Sequence, residues 1–497
     1  MTDIGNIAST LTAFLLQPDK DWSVASYQFF AVFIIFYIIY IGVCRSRRSV
    51  VLSYVIIFSL FFAWKANGLM MLLLPATTVI SWWGTRAMMR ARSHRRLWLT
   101  AIILIDLAPL IYFKYTNFLL SVFGGMLQRN FAPLDIILPV GLSFYTFQAI
   151  SYSVDVYKWR FTRETPLLYY AFYLTFFPLL LAGPITRAEV LIPQISVFSS
   201  QDAAMKQRTS NLAYKGLWLI IAGLIKKAVI ADYIAQFNNL VFADPAAYSG
   251  FENLMATLGF TLQIFCDFSG YSDISIGLAA LMGFDLHDNF NFPYQSLNPT
   301  EFWHRWHIAL STWFRDYMYI PLGGNRHGLA RTCINGFLTM VVAGLWHGAT
   351  WMFVLWGSLH GLALVVHKIC KRLFLDRIPD TLMVRMVSWA MMFSFVCITW
   401  IFFRADSITT ATGIIGKIAN GISSADIIAF LNARPLWMLL TALGLELHSI
   451  RREDYDWLER KFIGLPWLVK FVCFLAVIQL VISFSQQYVQ PFIYTKF

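Results

Sequence analysis

The stretch Asn298 to Gly328, NPTEFWHRWHIALSTWFRDYMYIPLGGNRHG, and the apolar run after it to Gly361, which carries LWHGATW around His347, decide how this chain is read. Its first part is polar, aromatic and irregular. Four of the nine histidines, His304, His307, His327 and His347, fall between Asn298 and Ala349, in a chain that otherwise avoids ionisable side chains. Of the 497 residues, 58% are hydrophobic and only 13% charged, where soluble domains carry about 25% charged residues. Apolar windows of the roughly 20 residues a membrane span needs are too numerous and too evenly spread for a soluble domain with one anchor. In lipid the backbone must satisfy its own polar groups, so apolar runs without strict alternation predict helices rather than a barrel. The expected fold is all-α, a polytopic membrane protein whose residues 1–497 form a single integral-membrane domain of about eleven to thirteen transmembrane or re-entrant helices.

The net charge of +12 does not point to nucleic acid, because the basic residues lie in short loops beside apolar runs, where they signal topology. The six cysteines form no C-x-x-C pair and read as small core residues, with neither a disulfide framework nor a zinc site.

Residues 1–26 lack a basic n-region, so a cleaved signal peptide is not expected. The run Tyr27 to Val43 is followed by Arg45, Arg47 and Arg48; the runs Val50 to Trp64 and Leu69 to Trp83 lead into RAMMRARSHRR at 86–96. With both basic clusters cytoplasmic, these three runs alternate correctly and place the N-terminus outside. Further runs are Leu97 to Phe113, with Asp106 inside it, Leu138 to Val154, Leu167 to Ala182, broken at Pro178, and Leu212 to Ala231. The run Leu254 to Phe284 contains CDFSGYSD, with Asp267 and Asp273 among Gly and Ser, which predicts an interrupted backbone lining a cavity. The last third carries runs at Met383 to Phe403, Pro435 to Leu447 and Leu465 to Phe484, then an aromatic tail at 485–497.

Asn298-Pro299-Thr300-Glu301 is a helix start, with a capping side chain, Pro in the first turn and Glu at the third position. Projected as one helix, Phe302, Trp306, Leu310, Trp313 and Tyr317 share a face, while His304, His307, Ser311 and Arg315 share the opposite, polar one. An interfacial helix with Trp at headgroup level fits this pattern equally well. The pair His304 and His307 has no third ligand at a supporting spacing, so no metal is expected. His347 lies sixteen residues beyond Arg331, roughly 24 Å along a helix and well into a hydrocarbon core of about 30 Å. Gly344 and Gly348 flank it, leaving room for close approach, and Trp346, Trp351 and Trp356 surround it. A histidine in such a cavity suits general acid and base work, although one that only bonds to a neighbouring helix is the plainer reading. His360 and His367 read as structural.

EFWHRWHIALSTWFRDYMYIPLGG followed by GLWHGATWMFVLWGSLHG resembles the signature of the membrane-bound O-acyltransferases (MBOAT). LPVGLSFYTFQAISYSVDVY (138–157), GPITR (183–187), DFSGYSD and PFIYTKF are similar to the bacterial alginate O-acetylation subgroup, which is related to the teichoic-acid D-alanylation proteins. The resemblance implies a ring of helices around a central tunnel from a cytoplasmic donor entrance to the outer face. It implies that His347 is the catalytic histidine and His307 the second signature position, while His304 departs from the pattern and receives no role. Ser311 and Arg315, with Trp306, Trp313, Asp316, Trp346 and Asp273, become candidates for the wall of a substrate and acyl-donor tunnel.

The implied reaction carries an acyl group, acetyl in the first instance, from a cytoplasmic thioester to an exported or cell-surface polysaccharide. Acetyl-CoA or another acyl thioester is then a co-substrate, with no permanently bound cofactor. The implied setting is the bacterial inner membrane, in contact with membrane lipid and an esterase-like acyltransferase partner, periplasmic or membrane-tethered; the chain itself has no G-x-S-x-G elbow. Lipid or protein acceptors stay open within the family. The rival of another class is a transporter or channel using Asp106, Asp267, Asp273 and His347, against which stands the lack of inverted halves in the hydropathy. A lipid acyltransferase of the H-x4-D type is excluded, since no His is followed five positions later by Asp.

Overall fold

The computed structural model describes residues 24–44, 47–129, 131–162, 164–180, 183–197 and 203–484. Most of the N-terminal segment 1–26 and the aromatic tail 485–497, both singled out in the sequence, lie outside the described residues. Helices are the only regular structure among the described residues, as expected. Among the described residues, six helical segments are long and apolar enough to cross a membrane, or seven if a pair bent by 112° at residues 408–433 counts as one. Two predicted runs, Val50 to Trp64 and Leu69 to Trp83, fall within one 43-residue segment, Arg48–Arg90, and other runs form helices that are shorter or less apolar, so fewer segments than runs emerge. The chain divides into two compact units, residues 1–216 with 275–287, and residues 217–274 with 288–497.

The first unit opens with α1 (Tyr27–Val43), whose start is capped by the Ser26 side chain accepting from the Phe29 N–H at 3.2 Å. Phe29, Phe33 and Phe36 recur at helical spacing and are buried, while Ile34, Ile35 and Ile38 on the other side are exposed. The buried rings join Phe58, Phe62 and Phe177 in one aromatic core. Then follow α2 (Arg48–Asn67), α3 (Leu73–Arg90), α4 (Arg95–Leu110), α5 (Thr116–Leu127), α6 (Leu142–Tyr157), α7 (Leu167–Thr175), α8 (Phe177–Leu180) and α9 (Ala188–Val197). The expected break in the run from Leu167 falls at Phe176, where ψ is 107°, and Pro178 then sits in the first turn of the short helix that follows, a position that proline tolerates. Gly141 enters α6 with φ +85°, and a Cβ there would lie 2.4 Å from the Leu180 carbonyl oxygen, so only glycine fits. Asp106, a candidate for an ion route, is buried and accepts from the Ser81 hydroxyl at 3.1 Å; that hydroxyl accepts in turn from the Tyr170 phenol. These contacts make it part of a core hydrogen-bond chain.

The second unit takes the end of α10 (Ala203–Leu224), a π-helical turn at Ile225–Ala231, α11 (Asp232–Ala243) and most of α12 (Gly250–Leu281). Here the sequence reading needs correction: α12 is unbroken for 32 residues through CDFSGYSD. Its glycines serve close packing rather than a break. A Cβ on Gly270 would lie 2.8 Å from the Gly223 carbonyl oxygen, and one on Gly223 2.6 Å from that of Gly270, so the two backbones touch. Its aspartates are matched by neighbouring lysines. Lys227, fully buried, donates to Asp267 at 2.5 Å and to Asp232 at 2.7 Å, and Lys226 forms an ion pair with Asp273. The unit continues with α13 (Pro299–Arg305), α14 (Ile308–Phe314), α15 (Gly328–His347), α16 (Trp351–Leu373), α17 (Leu382–Arg404), α18 (Ile408–Asn420), α19 (Ser424–Ala433), α20 (Pro435–Ser449), α21 (Arg452–Gly464) and α22 (Trp467–Phe484).

Candidate functional site

The helix start at Asn298 forms as its residues dictate: the side chain accepts from the Glu301 N–H at 2.9 Å, and the Glu301 carboxylate accepts from the Leu297 N–H at 2.9 Å. The single helix projected onward from there does not exist. It stops after Arg305, turns at Trp306 and His307, resumes as α14, and ends in a π-helical turn from Arg315 to Tyr319. His307 carries φ +43°, in the left-handed region that L-residues avoid. The physical reason is external: backbone groups at the break bond to the loop 289–291 instead of to a preceding turn. The Ile308 N–H donates to the Asn289 carbonyl at 2.9 Å, and the Asn291 N–H to the Arg305 carbonyl at 2.9 Å. The break moves His307 off the polar stripe and buries it completely, while His304 stays exposed.

Asn289, which the sequence reading passed over, fixes the His307 ring. Its side-chain amide donates through Nδ2 to Ser272 Oγ at 3.0 Å, so Oδ1 faces His307 Nδ1 at 3.1 Å and the Ala309 N–H at 3.2 Å. An oxygen already accepting from a backbone N–H requires the imidazole proton on Nδ1. His307 Nε2 is then a bare lone pair, buried and without a hydrogen-bond partner. Phe268 packs edge-on against the ring at 4.6 Å between centroids, and the Trp346 ring lies 6.2 Å from it.

His347 is the last residue of α15, and a three-residue turn leads into the antiparallel α16. Its ring is 3% exposed, with Trp346 at 5.1 Å, Trp356 at 5.1 Å and Phe403 at 5.5 Å between centroids. Trp346 thus neighbours both imidazoles. Two details depart from expectation. The space beside Gly344 and Gly348 is not open to a ligand: a Cβ on Gly344 would meet the Phe353 carbonyl oxygen at 2.3 Å, and one on Gly348 the Phe353 ring at 2.1 Å. Small residues here let α15 and α16 pack backbone to backbone. Trp351 turns outward, 62% exposed, away from the histidine.

His347 closes one end of a cavity of about 360 Å³. Thr332, Gly336, Thr339, Ala343 and His347 line it at spacings of three and four, one face of α15, so it extends roughly 22 Å along the helix. α14 and the π turn contribute Ser311 and Arg315, α16 contributes Lys368, and α13 contributes Trp303 and His304. At the exposed end Tyr319 Oη and Lys368 Nζ both donate to Asn325 Oδ1, at 2.5 and 3.2 Å. Arg315 Nε donates to Asp316 at 2.8 Å, and this hydrogen bond raises the guanidinium pKa, keeping it charged. The Ser311 hydroxyl donates to the Trp306 carbonyl at 3.1 Å, which leaves its oxygen free only to accept.

Of the sequence-selected residues, His347, Ser311 and Arg315 therefore share one cavity, and Asp316 joins them through Arg315. His307 and Trp346 sit behind its inner end. Trp306 is fully buried in another stack, with Phe302 at 5.7 Å and Trp400 at 5.0 Å, and Trp313 packs on Phe314 and Tyr317. Asp273 lines a different cavity with Lys226. His304, set aside in the sequence reading, is in the first cavity. The small-residue stripe from Thr332 to Ala343 was the legible signal that went unread. His360, expected to be structural, is fully buried and hydrogen-bonds through Nε2 with Thr399 Oγ1 at 3.1 Å.

Comparison with known proteins adds independent findings. Residues 162–405 match the model of the MBOAT, membrane-bound O-acyltransferase, family. The chain is 38% identical over 381 residues to a protein of Azotobacter vinelandii named probable alginate O-acetylase, covering 75% of this chain and 72% of that one. It is 36% identical over 360 residues to a peptidoglycan O-acetyltransferase of Helicobacter pylori, covering 67% and 66%. A teichoic acid D-alanyltransferase of Bacillus subtilis is 26% identical over 252 residues, covering 49% and 62%.

Proposed function

Because this chain belongs to the membrane-bound O-acyltransferase family and is an acyltransferase with several membrane-crossing helices, we propose that it moves an acetyl group from a cytoplasmic thioester such as acetyl-CoA to hydroxyls of an extracytoplasmic polysaccharide. The observation that carries this reading is the corridor along α15. Arg315 and Lys368 offer cations where it is exposed, His347 stands at its far end, and a thin, extended thioester arm matches its shape. Arg326 precedes α15 and Arg331 lies in its first turn, and Lys371, Arg372 and Arg377 follow the apolar part of α16, which supports a cytoplasmic setting for the exposed end. The acetylase names of the relatives support an acetyl donor and a glycan acceptor.

In this mechanism His347 takes the proton of the acceptor hydroxyl while its oxygen attacks the thioester carbonyl. The C–O bond forms, the C–S bond breaks, and the departing thiolate recovers the proton from the imidazolium. His307, held by Asn289 with its proton on Nδ1, packs on Trp346 behind the inner end of the corridor and positions that ring beside His347. The acceptor hydroxyl belongs to a separate esterase-like acyltransferase, which then completes delivery to the polymer, and the whole operates in the inner membrane with the N-terminus outside.

The experiment is acyl transfer from radiolabelled acetyl-CoA by purified protein, with mass spectrometry of surface glycans from cells with and without it. His347→Ala should lower transfer by about 10²- to 10⁴-fold. Near wild-type transfer by this variant sinks the assignment of the base, and solute uptake without acyl transfer sinks the whole reading.

A further inference from the structure

The second unit holds another cavity, of about 250 Å³, framed by α10, α12, α20, α21 and the loop around Asp288. Nothing in the acyl-transfer reading uses it. One wall is apolar, with Leu219, Ile225, Phe265 and Leu447; the other is densely charged, with Lys226, Arg452, Asp273, Asp288 and Glu459. Lys226 pairs with Asp273, and Arg452 bonds to both Asp288 and Asp456 at 2.9 Å, so the charged wall is braced before any ligand arrives.

Two neutral donors face this space. His448 is 5% exposed, and its Nε2 accepts from the Tyr294 N–H at 3.0 Å. The ring proton is therefore on Nδ1, and that N–H is buried with no partner. Such a group costs stability unless a ligand supplies an acceptor. Tyr455 accepts from Trp218 Nε1 at 3.0 Å, which leaves its own O–H to donate.

The surface beside the mouth has the composition of a membrane interface. α20 ends here, Leu447 and Leu458 are 45% and 41% exposed beside it, and α21 presents exposed Trp457 among Arg451, Arg460 and Lys461. A helix of this kind rests at headgroup depth, aromatic and apolar side chains inward and cations toward phosphate.

We propose that this cavity binds the head of a zwitterionic phospholipid, a phosphodiester joined to a primary ammonium. Lys226, His448 Nδ1–H and Tyr455 O–H hold the phosphodiester oxygens, and Asp288 with Glu459 holds the ammonium. Three carboxylates against two cations give a purely anionic head no net attraction, so selectivity falls on the amine. The volume accepts a headgroup and its glycerol, while the acyl chains leave over Leu447 and Leu458 into the bilayer.

The test is native mass spectrometry of the full chain in detergent, titrated with dioleoylphosphatidylethanolamine, dioleoylphosphatidylglycerol or soluble O-phosphoethanolamine. One phosphatidylethanolamine per chain should be retained, preferred over phosphatidylglycerol by about tenfold, and Tyr455→Phe or His448→Phe should each weaken it by about three- to tenfold. Equal retention of the two lipids overturns the proposal, as does full retention in Tyr455→Phe, a change too small to unfold the protein. Binding of O-phosphoethanolamine as tight as that of the lipid also overturns it, by making the ligand a soluble one. His347→Ala should keep the lipid, so the readout is independent of acyl transfer.

Discussion

Replacing Asn289 with alanine removes a side chain that touches neither the corridor nor any substrate position, and it should still disable the site. Three hydrogen bonds disappear: from His307 Nδ1, from the Ala309 N–H and to Ser272 Oγ. Each is worth about 1 kcal/mol net, so roughly 3 kcal/mol of stability is at stake, more if the buried partners stay unsatisfied. The chemical effect is separate. Without the Oδ1 acceptor nothing holds the proton on Nδ1, and the His307 ring samples both tautomers and a rotated pose. Loss of such an orienting partner typically costs about 10- to 100-fold, and kcat for acyl transfer should fall by that factor. The assay is single-turnover transfer at saturating donor, run well below the variant's melting temperature so that unfolding does not enter. Asn289→Asp keeps an acceptor toward Nδ1 and should recover much of the rate. If Asn289→Ala keeps kcat within about twofold of wild type while His307→Ala abolishes it, the tautomer argument is wrong.

A Cβ at Gly336 meets nothing within 4 Å, because it points into the corridor; Gly336→Leu should leave the melting temperature unchanged and raise KM for the thioester by more than about tenfold, read by steady-state kinetics. Gly344→Ala has the opposite profile: the methyl would meet the Phe353 carbonyl oxygen, and overpacking should cost about 1–3 kcal/mol in thermal unfolding. Lys368→Glu should weaken a phosphate-bearing donor most at low salt, an effect that shrinks as ionic strength rises; a salt-independent change would deny Lys368 an electrostatic role.

Much of the architecture was readable because membrane helices announce themselves. The run Tyr27 to Val43 coincides with α1, and the runs at 383–403 and 465–484 match α17 and α22 within two residues at each end. What escaped depends on neighbours distant in sequence. CDFSGYSD looked like a break because Gly, Ser and Asp oppose a lipid-facing helix; α12 is covered by protein, Lys226 and Lys227 answer its carboxylates, and Gly223 makes Gly270 a contact. The turn at His307 was invisible for the same reason, since its cause is Asn289 eighteen residues earlier. The site was legible as residue types, with His347, Ser311 and Arg315 brought to one cavity. It was not legible as geometry, because the projection assumed one helix and so placed His307 and His304 together on an exposed face. The glycines beside His347 carried an ambiguous signal: room for a ligand and room for a helix look identical in sequence.

The Lys227 triad bears on how the protein is made. A lysine at the middle of a segment costs roughly 3 kcal/mol to insert alone, and Lys227 is fully buried, with one carboxylate on the next helix, Asp232, and the other on α12, Asp267. The lysine meets its first carboxylate, Asp232, only five residues further on, but the second, Asp267, comes forty residues after it, so the buried ion group is complete only once α12 has been made. α12 therefore docks onto a lysine that already has one carboxylate, and closes the group with the second. An Asp267→Ala chain should insert with Lys227 still paired to Asp232 but dock α12 poorly, a failure of assembly rather than of catalysis.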